Sequence, residues 1–203
     1  MWPAEPADTV GITVLGLAGS PRRNGNTEIL LDWCLEAAAG EGAEVVKFRL
    51  RELDIGGCIA CDGCFENGSC IVEDGMDELY PFLRSADSVI LAAPIFSMGL
   101  SAQAKAMVDR CQPFWALKYV LKVPLVAPGR PQRMGSFLSC SGTSFKHVFD
   151  GARQVVNYFW HVLDVQSAGD LLCPGIDAKG EIREHPSARM VAEDIGRRLA
   201  AAR

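Results

Sequence analysis

Four cysteines, Cys58, Cys61, Cys64 and Cys70, fall within thirteen residues of a chain whose eight cysteines are otherwise scattered. Thiolates at such short intervals let successive sulfurs reach different irons, so the run points to a [4Fe–4S] cluster and electron transfer. Zinc is a second reading, although zinc tetrahedra are usually built from two separated pairs and this run has no such separation. Free or transiently paired thiols are the third, because Cys-x-x-Cys spacing also serves thiol redox chemistry. The neighbouring acids Asp62, Glu66, Glu73 and Asp74 would disfavour adding an electron to a cluster there.

A second constellation runs from Gly19 to Thr27 and contains Ser20, Pro21, Arg22, Arg23, Asn24, Gly25 and Asn26. Glycines let the backbone turn tightly, hydroxyl and amide groups donate, arginines add charge, and a following helix contributes unsatisfied N–H groups. Such a loop suits a phosphate monoester. It lacks the lysine and spacing of a nucleotide-triphosphate loop and the GxGxxG of a dinucleotide site. As a purely local feature it would be a polar turn with Asn26 or Thr27 capping the helix.

These residues need elements to position them. Residues 12–18 form a short, nearly continuous apolar run before the loop, and Leu30, Leu31, Cys34, Leu35 and Ala38 mark one face of a helix after it. Residues 44–50 read as a second strand and 88–93 as a third, buried on both faces, with a helix between them carrying Met76, Leu79, Tyr80 and Leu83. A helix over about 102–111 leads to a Pro-rich passage over 113–133, read as a long irregular connection. Strands over 135–140 and 162–168 and helices over 148–160 and 186–202 complete the pattern. Five strands alternating with helices make an α/β, doubly wound, three-layer sandwich, which binds ligands beyond the carboxyl ends of its strands.

Composition sets the boundaries. At 203 residues and 49% hydrophobic, the chain suits one domain, expected over 11–203 with a cysteine-rich insert at 56–74 and a loose leader at 1–10. A net charge of −5 argues against a broad nucleic-acid or anionic membrane footprint. No apolar run of membrane-spanning length and no signal-like leader is visible, so a cytoplasmic protein with reduced or metal-bound thiols is expected. Cys34 and Cys111 lie on apolar helix faces as small hydrophobes, and Cys173 has no evident task. His147, His161 and His185 are scattered and read as structural or surface residues.

The segment Gly19-Ser20-Pro21-Arg22 followed by Gly25-Asn26-Thr27 and a leucine-rich helix resembles the NADPH-dependent FMN reductase family of flavodoxin-like proteins. The cysteine run between strand two and the next helix is similar to that of its iron–sulfur flavoprotein branch. Pro94-Ile95-Phe96 stands where the family has Pro-Ile/Val-Tyr, and Asp109-Arg110 closes a helix as in the family; the resemblance spans about residues 11 to 165.

The resemblance implies a flavodoxin-like fold with a five-stranded parallel sheet in the order 2-1-3-4-5. It implies that Ser20, Arg22, Asn26 and Thr27 hold the phosphate of FMN and that Pro94, Ile95, Phe96, Ser97 and Met98 line the isoalloxazine. Ser139, Cys140, Ser141, Gly142 and Thr143 would supply small residues and backbone donors near the ring, and Cys58, Cys61, Cys64 and Cys70 would hold the cluster. Phe96 lacks the hydroxyl of the family's tyrosine, so a hydrogen bond made there is lost. A homo-oligomer, dimer or tetramer, is implied, with Phe114, Trp115, Leu117 and Tyr119 able to form an aromatic interface or to fold onto their own core.

Three functions compete. The first is an FMN protein moving electrons between flavin and a [4Fe–4S] cluster, with NAD(P)H or a ferredoxin-like donor. The second is a cluster-free NAD(P)H-dependent flavin or quinone reductase. The third is a flavin electron carrier or redox sensor. None requires a side-chain acid or base as catalyst.

Overall fold

Strands β1 (Thr13–Ala18) and β3 (Ser88–Ala92) are apolar along almost their whole length, and such strands must be covered on both faces. A computed structural model, which describes residues 11–201, places them in the middle of a parallel sheet. The order is β2 (Glu44–Arg49), β1, β3, β6 (Arg133–Ser141), β7 (Val165–Pro174), which is 2-1-3-4-5 for the strands of this sheet. Beyond β3 a two-residue antiparallel hairpin, β4 (Ile95–Phe96) and β5 (Gly99–Leu100), stands apart from it. The leader at 1–10 lies outside the described residues.

Helices cover both faces. On one side α1 (Asn26–Gly40) and α7 (Ala188–Ala200) close a core with Leu30, Leu31, Ile90, Leu138 and Ile195. Gly196 lets them approach: a Cβ there would meet the Cys34 carbonyl oxygen at 2.1 Å. On the other side α3 (Met76–Ser85), α4 (Ala102–Asp109), α5 (Gln112–Tyr119) and α6 (Asp150–Val162) enclose Leu15, Leu17, Tyr80, Phe114, Phe137 and Phe159. One turn, α2 (Cys64–Asn67), lies within the cysteine segment and ends at Gly68 with φ 76°.

Two expectations need correction. The 113–133 passage is not irregular throughout, because Pro113 sits in the first turn of α5, where a missing N–H costs nothing. Phe114 and Leu117 on that helix are buried in the chain's own core, and Trp115 packs against Phe65 and Tyr119. The last strand begins at Val165 and continues to Pro174, well past the expected end at 168. Gly135 pairs with Ser167 but Phe137 pairs with Asp170, so β7 accommodates one extra residue as a bulge, where Gly169 adopts φ 107°.

Candidate functional site

The loop from Gly19 to Gly25 leaves the carboxyl end of β1 and enters α1, the position where this architecture binds ligands. The Gly19 N–H donates to the Ala92 carbonyl, and the Ser101 hydroxyl donates to the Gly19 carbonyl, fixing the loop against β3 and the start of α4. Gly25 is the N-cap of α1 and no side chain caps the helix, so neither Asn26 nor Thr27 takes the capping role open to them. The Thr27 hydroxyl is buried and has no hydrogen-bond partner. A buried hydroxyl left unpaired at an uncapped helix N-terminus is costly unless a ligand satisfies it.

Glu28 braces this loop from beneath. Its carboxylate is fully buried, accepts the Asn24 N–H at 2.9 Å, and is met by Arg49 Nε at 2.7 Å, Arg51 Nη1 at 3.0 Å and Lys47 Nζ at 3.1 Å. Burial pushes its pKa up, but the hydrogen bonds from Arg49 and Lys47, with the Lys47 charge, outweigh it and hold the carboxyl at about 2.

Above the loop lies a cavity of 70 Å³ whose wall includes Ser20, Arg22, Asn26, Thr27, Pro94, Ile95, Phe96, Cys140 and Gly142. Three loops leaving adjacent strands thus meet as the sequence implies. The remaining expected residues sit elsewhere. Ser97 and Met98 form the exposed tip of the β4–β5 hairpin at φ 48° and 66°, Ser139 donates to the Ala93 carbonyl inside the sheet, and the Ser141 hydroxyl bonds Thr143. The tip is held because the Met98 carbonyl packs where a Cβ of Gly151 would stand, 2.6 Å away.

Ile176, Asp177 and Lys179 form a wall that sequence reading missed. Arg22 Nη1 donates to the Asp177 carbonyl at 3.2 Å, and Asn26 donates to Ala178 while accepting from Gly180 and Ile182. The Asn26 amide therefore fastens this wall to α1, with both ends engaged by protein. Gly142 permits the approach, since a Cβ there would lie 3.1 Å from the Asp177 carboxyl.

The cysteine segment makes a separate cavity of 340 Å³, with Cys58, Cys61, Cys64 and Cys70 all on its wall beside Asp109, Arg110 and Pro113. Ala60 and Asp62 turn the chain between the first three through φ 52° and 59°. Cys64 is buried and Cys58 and Cys61 are exposed; burial, with the other three sulfurs, raises the Cys64 thiol against the lowering effect of a backbone hydrogen bond. Arg110 closes the segment, donating to Gly56 O, Val72 O and both Asp74 oxygens. Asp74 is therefore a neutralised charge, not the free acid expected beside a cluster.

Among the described residues no group of three His, Cys, Asp or Glu side chains is placed to hold a metal ion. The four thiols share one cavity wall and are not gathered as the ligand set of a single ion. The phosphate side is better matched, since the uncapped helix, the unpaired Thr27 hydroxyl and the Gly25 turn fit the phosphate end of FMN. Helix α4 connects the two places, with Ser101 at the phosphate loop and Arg110 at the cysteines, about 13 Å apart along its axis at 1.5 Å per residue.

The sheet order and the position of this crevice define a flavodoxin-like protein. The chain belongs to the NADPH-dependent FMN reductase family, whose model matches residues 12–167. It is 40% identical over 100 residues to an iron–sulfur flavoprotein of Methanocaldococcus jannaschii, covering 49% of this chain and 52% of that protein. It is 32% identical over 130 residues to an iron–sulfur flavoprotein of Methanosarcina thermophila, covering 64% of this chain and 63% of that one. The chain spans about half the length of the curated relatives it matches. Among solved structures, a flavone reductase superposes with a TM-score of 0.67 at 22% identity over 94% of this chain and 62% of the other. An FMN-dependent NADH-azoreductase from Bacillus anthracis superposes with a TM-score of 0.63 at 12% identity over 93% of this chain and 99% of the other. At those identities the likeness shows the fold. No described helix is long and apolar enough to cross a membrane.

Proposed function

We propose that this chain binds FMN in the crevice beyond β1, β3 and β6 and works as a cluster-free NAD(P)H-dependent reductase of flavin, quinone or a similar small acceptor. The observation that carries the reading is the unpaired Thr27 hydroxyl at the uncapped N-terminus of α1, inside a cavity walled by the strand-end loops. Ser20, Arg22 and Thr27, with the helix N–H groups, would hold the phosphate, while Asn26 positions the 176–179 wall. Ile95 and Phe96 would border the ring, and Gly142 would let backbone approach it. FMN, when bound, supplies an acceptor for hydride that can release electrons singly or in pairs. The half-exposed Phe96 and Met98 leave an apolar rim where a nicotinamide or a planar acceptor could pack. Purified protein should carry flavin and oxidise NAD(P)H in the presence of a quinone; protein saturated with FMN that neither pyridine nucleotide reduces would remove this reading.

A second reading adds a [4Fe–4S] cluster on Cys58, Cys61, Cys64 and Cys70, with a ferredoxin-like donor. It is favoured by one cavity walled by all four cysteines and by relatives named iron–sulfur flavoproteins. The cluster would supply one-electron carriage. In a cube each thiolate binds a different iron, so the sulfurs need not converge as they would on one ion. Iron and sulfide analysis after anaerobic purification decides between the readings: flavin without iron leaves the reductase alone. Residues 11–203 are taken as one FMN-binding unit with the cysteine insert at 56–74. A homo-oligomer is part of the proposal and is tested by light scattering of the flavin-loaded chain.

A further inference from the structure

The chain carries a second arrangement of thiols, away from the 58–70 run. Cys140 and Cys173 stand directly opposite each other on the parallel strands β6 and β7, on the face covered by α1 and α7. The β7 bulge creates this pairing. With the register seen at Gly135 and Ser167 carried forward, Cys140 would face Leu172; the extra residue brings Cys173 opposite instead. Both thiols are free and buried. Neighbouring strands lie about 4.8 Å apart, inside the range of roughly 4.4–6.8 Å that a disulfide spans between Cα atoms.

These two thiols differ from the other buried ones. Cys34 donates to the Ala192 carbonyl and Cys111 to the Met107 carbonyl, and burial pushes Cys34 to about 12 and Cys111 higher still. Such thiols are inert hydrophobes. Cys140 and Cys173 face each other instead, and their proximity raises the first thiol and lowers the second, which makes Cys173 the readier thiolate. Cys140 also forms part of the wall of the crevice that contains Ser20, Thr27 and Phe96.

We propose that Cys140 and Cys173 are a redox-active dithiol that closes to a disulfide by exchanging two electrons with flavin in the adjoining crevice. This rests on the FMN reading above. On closure two S–H bonds break and one S–S bond forms, and two electrons and two protons pass to oxidised flavin; reduced flavin reverses the step. The pair thus gives the chain a two-electron store that is independent of the 58–70 cysteines.

The test uses the full chain with FMN bound, compared with Cys173→Ser and, in case that variant folds poorly, Cys173→Ala. Flavin occupancy is read first from the absorption spectrum, so a failure to bind FMN is seen on its own and removes both readings. Air-oxidised, flavin-loaded protein is then digested after acid alkylation, and a peptide joining Cys140 to Cys173 with the loss of two hydrogens is expected. Anaerobic reductive titration should take up two more electrons per chain in the wild type than in either variant. Full flavin occupancy with both cysteines alkylated and equal electron uptake in all three proteins would overturn the proposal while leaving the flavin site intact.

Discussion

Arg110 grips Asp74 with both of its terminal nitrogens, Nη1 at 2.5 Å and Nη2 at 3.2 Å. The same guanidinium donates to the carbonyls of Gly56 and Val72, so one nearly inaccessible side chain ties together the two ends of the cysteine segment. Fork-shaped donors are suited to this, and lysine could not reproduce it. Replacing Arg110 by Ala should cost about 3 kcal/mol, as expected for a buried carboxylate that loses its partner. Limited proteolysis should then cut within 56–74, and the thiols there should alkylate faster, while the flavin crevice stays loaded.

Glu28 gives the chain an acid-sensitive point under the phosphate loop. Its folded pKa is depressed from 4.5 to about 2, so its contribution to stability is complete above the unfolded value and is lost as pH falls from about 4 through 2. Thermal melts across that window should show wild type losing stability more steeply than Glu28→Gln. At neutral pH the variant should be the less stable, since Arg49, Arg51 and Lys47 lose their shared counter-charge.

Two glycines test whether backbone shape matters at the crevice. A Cβ on Gly25 would sit 3.0 Å from the Ser20 hydroxyl and 3.1 Å from the Arg22 carbonyl, and one on Gly151 would strike the Met98 carbonyl. Gly25→Ala should weaken FMN binding about tenfold, because a few tenths of an ångström in a phosphate loop is worth on the order of 1.4 kcal/mol. Gly151→Ala should displace the hairpin tip and change turnover more than FMN affinity, measured by fluorescence titration beside steady-state rates.

How far the sequence reveals this depends on the range of the interactions. The apolar runs at 12–18 and 88–93 have no polar face, which requires the sheet interior, and the Gly/Ser/Asn loop between strand and helix carries its phosphate chemistry in adjacent residues. The wall at 176–179 is invisible in that way, because it is placed by Asn26 across more than 150 residues of chain. The same bonds give Asn26 a different task from the one its type suggested. Gly169 looks like the end of a strand and is instead the bulge that prolongs it, and Pro113 looks like a helix breaker and is instead at a helix start. For the cysteines, spacing gives proximity in one loop, while their place on one cavity wall depends on turns at Ala60 and Asp62 and on the Arg110 closure.

Thr27→Val separates a ligand role from a structural one. The Thr27 hydroxyl has no partner within the protein, so its removal should leave the melting temperature of the apoprotein unchanged or slightly raised. FMN affinity should nevertheless fall about tenfold, as for the loss of one hydrogen bond to a charged group.

The central claim is that the α1 N-terminus grips a phosphate, and comparing FMN with riboflavin on the apoprotein tests it most directly. The two ligands share the ring and differ in the phosphate alone. Calorimetric titration should give FMN an affinity at least about a hundredfold above riboflavin, on the order of 2.7 kcal/mol from charge-assisted hydrogen bonds at a helix N-terminus. Equal affinities for the two, or no heat with either, would contradict the account.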